Sequence, residues 1–178
     1  MNISLFNNVL GDSFLQLHPL LQQLHDGRKQ RWSGTATVTW GKNWWVHGLL
    51  MLVGLPRPGD NILCDVDLEP TPEGERLRRN FAGQKFHSHL RLAKPDMIEA
   101  FGPMRLRIAT SVSGDQLRQH CTASHVLGIR LPRQLGLRIM AREWCTAAGM
   151  HFDVSIGLGV GIQFLRYRGC LAPVQLGE

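Results

Sequence analysis

LRIMAREWCTA, residues 137–147, alternates in a way that sets the reading of the whole chain. In a strand, successive side chains point to opposite faces, so Leu137, Ile139, Ala141, Glu143, Cys145 and Ala147 share one of them. Five of the six are small or apolar. The other row, Arg138, Met140, Arg142, Trp144 and Thr146, reads as the wetter face. Glu143 is therefore predicted to point inward with the core, where a carboxylate needs a partner or a purpose.

The same period of two runs along the chain on both sides of this stretch. In NILCDVDLE, Ile62, Cys64, Val66 and Leu68 form one row against Leu63, Asp65, Asp67 and Glu69, and PTPEG supplies the turn after it. RLRRNF, KFHSHLRL, MIEAF, MRLRIATSV, DQLRQHCTA, MHFDVSIGL and IQFLRYRGCL continue the series, separated by short connections rich in glycine and proline. Short connections favour antiparallel neighbours, hence a meander. Before this series, SGTATVTW is strand-like. Phe14, Leu17, Leu20, Leu21 and Leu24 predict an amphipathic helix over about 12–25, interrupted or started near Pro19, and the run from Trp44 to Val53 predicts an apolar helix ending at Gly54 and Pro56. The expected fold is α+β in a single domain, 1–178: about seven to nine antiparallel strands in a strongly curved sheet or partly closed β-barrel, wrapped around the early apolar helix over about 33–171, with a short C-terminal tail. Such a shape has an inside, and its mouth is a natural small-molecule site.

Composition narrows the function classes. With 43% apolar and 19% charged residues, the 178-residue chain has the make-up of a globular domain large enough for a core without metal or disulfide staples. The net charge of +6 raises nucleic-acid binding, but the arginines are scattered at strand spacing and no helix-turn-helix, finger or aromatic RNP-like pattern accompanies them. Cys64, Cys121, Cys145 and Cys170 lie far apart with no C-x-x-C pair, which predicts reduced core cysteines in a cytoplasmic protein. The opening MNISLFNNVLGDSF lacks a basic region followed by a hydrophobic run, so export is not expected. The apolar stretch 44–56 is too short for a transmembrane span.

Parity sorts the polar residues. The row Leu77, Arg79, Phe81 carries Arg79 inward; Met97, Glu99, Phe101 carries Glu99; Phe86, Ser88, Leu90, Leu92 carries Ser88. Two carboxylates, Glu99 and Glu143, facing one guanidinium leave one negative charge over. The surplus group is either protonated or available to an incoming molecule, which is the signature of a general acid or base or of a ligand-orienting pair. A structural bridge that fixes strand register is the competing reading. Other motifs carry less. His87 and His89 share a strand face, but the wet one, and no third ligand is identifiable, so no metal is expected; no cofactor is expected either. His120, His125 and His151 read as solvated or capping residues. GLGVGIQF precedes a strand pattern and not a helix, so it reads as a hairpin turn; no serine stands in a G-x-S-x-G setting.

RLRRNFAGQKFHSHL, MIEAFGPMRLRI, LGIRLPRQLGLRIMAREW and HFDVSIGLGVGIQFLRYRGCL, in that order, resemble the landmarks of the bacterial family called domain of unknown function 4166, over about Leu15 to Leu171. The matching positions are Arg79 and Phe81, Ser88, Glu99 with Gly102 and Pro103, Gly128 with Leu131 and Pro132, Glu143, and Tyr167 with Gly169. The resemblance adds Tyr167 to the candidate site and implies an accessory role in some settings, since family members occur alone or attached to reductase-like or membrane domains. The expected function is binding of a small apolar ligand at Arg79, Ser88 and Tyr167, extending to an isomerisation or cyclisation by acid/base chemistry at Glu143 and Glu99. The alternative is an interaction module that docks on an oxidoreductase through Trp44, Trp45 and Leu49.

Overall fold

The structure, a computed structural model, describes residues 4–42 and 55–174. Eleven antiparallel strands follow a short helical segment: β1 (Gln30–Trp40), β2 (Gly59–Thr71), β3 (Gly74–Phe81), β4 (Gln84–Ala93), β5 (Asp96–Phe101), β6 (Met104–Ser113), β7 (Gln116–Val126), β8 (Ile129–Arg130), β9 (Leu137–Thr146), β10 (Gly149–Leu158) and β11 (Gln163–Pro173). Neighbours in sequence pair in space, β7 continues past the two-residue β8 to β9, and β1 returns to β11 from Trp32↔Pro173 to Trp40↔Leu165. Because β6 also pairs with β7, ten strands form a closed ring, and among the described residues only β8 stands outside it. Closure leaves the ring strands no free edge. The sheet is thus fully closed where sequence led to a curved or partly closed one, and it has more strands than the seven to nine expected.

Turn chemistry explains the tight meander. Phe81 pairs with Gln84 across a two-residue loop in which Ala82 and Gly83 both have positive φ, 47° and 93°. That is the hairpin geometry whose twist matches the flanking strands, and glycine takes it without steric cost.

Along the strands, alternation places Trp32, Ala36, Val38, Cys64, Leu68, Phe81, Leu90, Met97, Leu117, Phe152 and Leu171 in one buried core. The arginines alternate to the outside and meet acids across strands: Arg31 with Asp67 at 2.6 Å, Arg107 with Asp96 at 3.2 Å, Arg166 with Asp153 at 2.6 Å. Each such exposed pair contributes about 0–1 kcal/mol, so the outer charges keep the wall solvated more than they hold it together.

The helical stretch expected over 12–25 breaks at Pro19 as expected, but it begins earlier and comes in three short pieces: α1 (Leu5–Leu10), a 3-10 turn (Gly11–Gln16) and α2 (Pro19–Leu24). Proline 19 has no N–H to donate and pushes the residue before it out of the helical region; Leu17 and His18 are extended, with ψ of 150° and 139°. A helix therefore cannot run through them, and Pro19 becomes the first residue of a new one. Ser4 Oγ accepts the Asn7 N–H at 3.1 Å, which starts the first piece earlier than the apolar spacing suggested. Phe6, Phe14, Leu17, Leu21 and Leu24 are buried in the same core as the strands, and the His18 N–H donates to the Asp115 carbonyl in the β6–β7 turn. These pieces close one end of the barrel. The apolar helix expected from Trp44 to Val53, with Trp44, Trp45 and Leu49, lies outside the described residues. No described helix is long and apolar enough to cross a membrane.

Candidate functional site

Inside the ring is a cavity of about 140 Å3. On this measure a water needs roughly 10–15 Å3, so about ten waters would fit, or ~300 Å3 of liquid, the lower end of the range for small-molecule sites. The walls are mostly apolar. Phe81 stacks on Phe86 with centroids 5.9 Å apart and meets Tyr167 edge-on at 5.5 Å, while Phe152 lies 6.1 Å from Tyr167. All five residues singled out from sequence, Arg79, Ser88, Glu99, Glu143 and Tyr167, line this space.

Register explains the first group. β3 and β4 pair Leu77 with Ser88 and Arg79 with Phe86, and β4 and β5 pair Leu90 with Glu99, so three adjacent strands deliver Arg79, Ser88 and Glu99 to one patch of the inner wall. Arg79 Nη1 donates to Ser88 Oγ at 3.0 Å, and both Nη1 and Nη2 reach Glu99 Oε1 at 3.5 Å, the outer limit of a hydrogen bond. The guanidinium carbon also lies 5.3 Å from the Phe86 centroid. Burial works to lower the Arg79 pKa, but the charges of Glu99 and Glu143 and the Glu99 hydrogen bond act against it, and the guanidinium stays a cation. Burial pushes Tyr167 up to about 12 despite Arg79, so its hydroxyl stays protonated at neutral pH and able to donate.

Glu143 does not complete a triangle on Arg79. Its Oε2 lies 2.7 Å from Nε2 of His25, the residue that ends α2, and the His25 ring packs at a 32° tilt against Phe6 with centroids 3.8 Å apart. Arg79 feels Glu143 through charge alone. The Glu143, Arg79 and Glu99 side chains each retain 18% exposure while lining the cavity, so they are shielded from bulk water without being sealed in packing.

Sequence reasoning missed His25 and a third inward carboxylate. Leu17, Leu21, Leu24 and His25 fall at helical spacing, which put the imidazole on the buried side. Glu75 stands two residues before Leu77 in the same row as Arg79, and it is buried, with 4% exposure. It accepts the Leu5 N–H, yet its Oε1 and the Nδ1 of His25 are both buried without a hydrogen-bond partner among the described residues. Burial raises the Glu75 pKa above its ordinary 4.5; the nearby His25 and the Leu5 N–H oppose that shift, and Asp26 adds to it. His120 and Gln119 also line the cavity. His120 is exposed as well, so the interior reaches the surface beside it, where the β7–β9 pairing stops at His120↔Met140. No cluster of three His, Cys, Asp or Glu side chains suited to a metal occurs among the described residues.

A raised carboxyl pKa means the folded state holds the proton more tightly than the unfolded chain. Stability from Glu75 is then fully present below pH about 4.5 and is lost as pH rises through the raised value. Thermal melts of Glu75→Gln across this window are expected to flatten that decline, because the amide keeps an acceptor for Leu5 and cannot ionise. Superimposable profiles for the two proteins would show that Glu75 ionises as freely as a surface acid.

The fold and site together define a closed antiparallel barrel with a polar set in an apolar cavity. The chain belongs to the family described as domain of unknown function (DUF4166), whose model matches residues 17–171, in agreement with the motifs read from the sequence. No curated protein matches the chain. Among solved structures, apo lipid binding protein 8 of Caenorhabditis elegans is similar over 80% of this chain and 94% of that one, at 7% identity and a TM-score of 0.42, too remote a likeness to carry a ligand or mechanism across.

Proposed function

We propose that this barrel binds one small, largely apolar molecule in its cavity, with the polar end of that molecule against Arg79, Ser88, Glu99 and Tyr167. The observation that carries the reading is the cavity itself: aromatic and aliphatic walls interrupted by a few convergent polar groups on adjacent strands. The Arg79–Glu99 pair is long, 3.5 Å, and borders open space. The test is titration of the neutral fluorophore N-phenyl-1-naphthylamine. Saturable one-to-one binding with Kd of order 1 μM, about −8 kcal/mol, is expected, and purely linear fluorescence would remove the proposal.

The same reading extends to chemistry on the bound molecule. Glu143 is the better general base of the two acids that line the cavity, since His25 lies within hydrogen-bond reach behind it to orient the carboxylate, while Glu99 serves Arg79. An isomerisation or cyclisation that moves one proton fits this set. With a ligand recovered from purified protein and identified by mass spectrometry, Glu143→Gln is expected to stop turnover with a much smaller effect on binding. Full turnover in folded Glu143→Gln and Glu99→Gln would confine the protein to binding.

A further inference from the structure

The head group that the cavity accepts can be read from its charges. Facing the space are one permanent cation, Arg79, and two acids, Glu99 and Glu143; His25 and His120 are the titratable bases, and Ser88, Gln119 and Tyr167 are uncharged. The cation is engaged: Ser88 takes one of its donors, and Glu99 lies across both terminal nitrogens. The imidazole nearest the second acid is committed to it at 2.7 Å. Glu75 lies near His25 at the same end, where burial raises its pKa. Among the described residues, a carboxylate entering this space would meet two like charges at low effective dielectric and no permanent cation besides the engaged Arg79. A donor head meets the opposite situation. Each carboxylate has oxygens beyond the contacts just described, and the Ser88 and Tyr167 hydroxyls can also accept.

Resting on the cavity reading above, we propose that the barrel selects amphiphiles whose head group is a hydrogen-bond donor without negative charge, an alcohol or an amine, and discriminates against the carboxylate of a fatty acid. Glu99 and Glu143 are the discriminating residues. Hydroxyl and ammonium heads share the chemistry of donating to a carboxylate; the carboxylate head is the excluded case.

Displacement of N-phenyl-1-naphthylamine at neutral pH by dodecanol, dodecylamine and dodecanoate tests this on chains of one length. Dodecanol and dodecylamine are each expected to displace the fluorophore at least tenfold more effectively than dodecanoate. In Glu99→Gln, which frees Arg79 from its acid, dodecanoate is expected to gain at least tenfold. Dodecanoate equal to or better than both donors in the wild-type protein would overturn the proposal while leaving the cavity as a ligand site. Failure of the fluorophore and of all three chains to bind would overturn both. Should Glu99→Gln not fold, the wild-type series decides alone.

Discussion

Arg79→Met is expected to destabilise the protein by about 3 kcal/mol, the low end of the cost of removing one partner of a buried pair. The low end applies because the contacts to Glu99 are long, 3.5 Å, and the carboxylate keeps some access to the cavity. The loss has two parts. The Ser88 hydroxyl, buried at 1% exposure, loses its donor, and Glu99 and Glu143 lose the only arginine that lines the space with them. For a chain of this length the shift in Tm is about 6–12 °C. Coupling makes the prediction specific: Arg79→Met combined with Glu99→Gln is expected to recover more than half of the loss, since the buried charge that lacked a partner has gone. Urea melts of both single variants and the double variant measure it. Strictly additive effects would mean that the two side chains share a wall without sharing energy, and the charge argument for the cavity would lose its anchor.

How far the sequence revealed this site follows from what alternation can know. A period of two is a local property, and it put Arg79, Ser88, Glu99 and Glu143 on the correct face because none of their strands bulges between the residue and its apolar row. Tyr167 came from family motifs, and the register places it opposite Val154 and Val38. Face is not partner. The expectation that both acids meet Arg79 fails because Glu143 belongs to the opposite wall, and the nearest base comes from a helix end 118 residues away in sequence. No local pattern encodes that distance; it is set by ring closure and by how the N-terminal pieces seat on β9 and β10. Glu75 was legible by the same parity but begins a strand just after PTPEG, where a charged residue reads as solvated; only the docking of Leu5 and Gly27 over it makes the position interior. The two-residue β8 had too few residues to show a period at all.

Interior and exterior charges also follow different rules in this fold, which is why the composition misleads. The excess of Lys and Arg over Asp and Glu, 20 against 14, is a property of the outer wall, where arginines face acids across strands or face water. The cavity has the reverse balance, one arginine against two glutamates. A molecule steered by the net charge of +6 would be an anion, and the inner wall would then reject it. Selection inside the barrel therefore depends on the strand rows and not on the overall charge.

Ala141→Phe is expected to abolish fluorophore binding, by at least a hundredfold, while leaving stability unchanged or increased. Ala141 is the smallest side chain in the inward row of β9, pairs with Gln119 on β7 and Val154 on β10, and lines the cavity with both. A phenyl group projecting from this position would enter the space between Gln119 and Val154 and block it to a ligand lying against β9. In a filled core the same substitution would force neighbouring side chains off their rotamers and cost about 1–3 kcal/mol. The sign of the stability change thus reports whether the space is open, and the loss of binding reports whether the ligand uses it. Calorimetry and the fluorescence titration read the two independently. Retained binding together with a loss of about 1–3 kcal/mol would mean that the interior is packed at Ala141 and that the fluorophore sits elsewhere. Retained stability with lost binding locates the ligand against β9, between Glu143 and Ile139, on the strand whose alternation first placed a carboxylate inside.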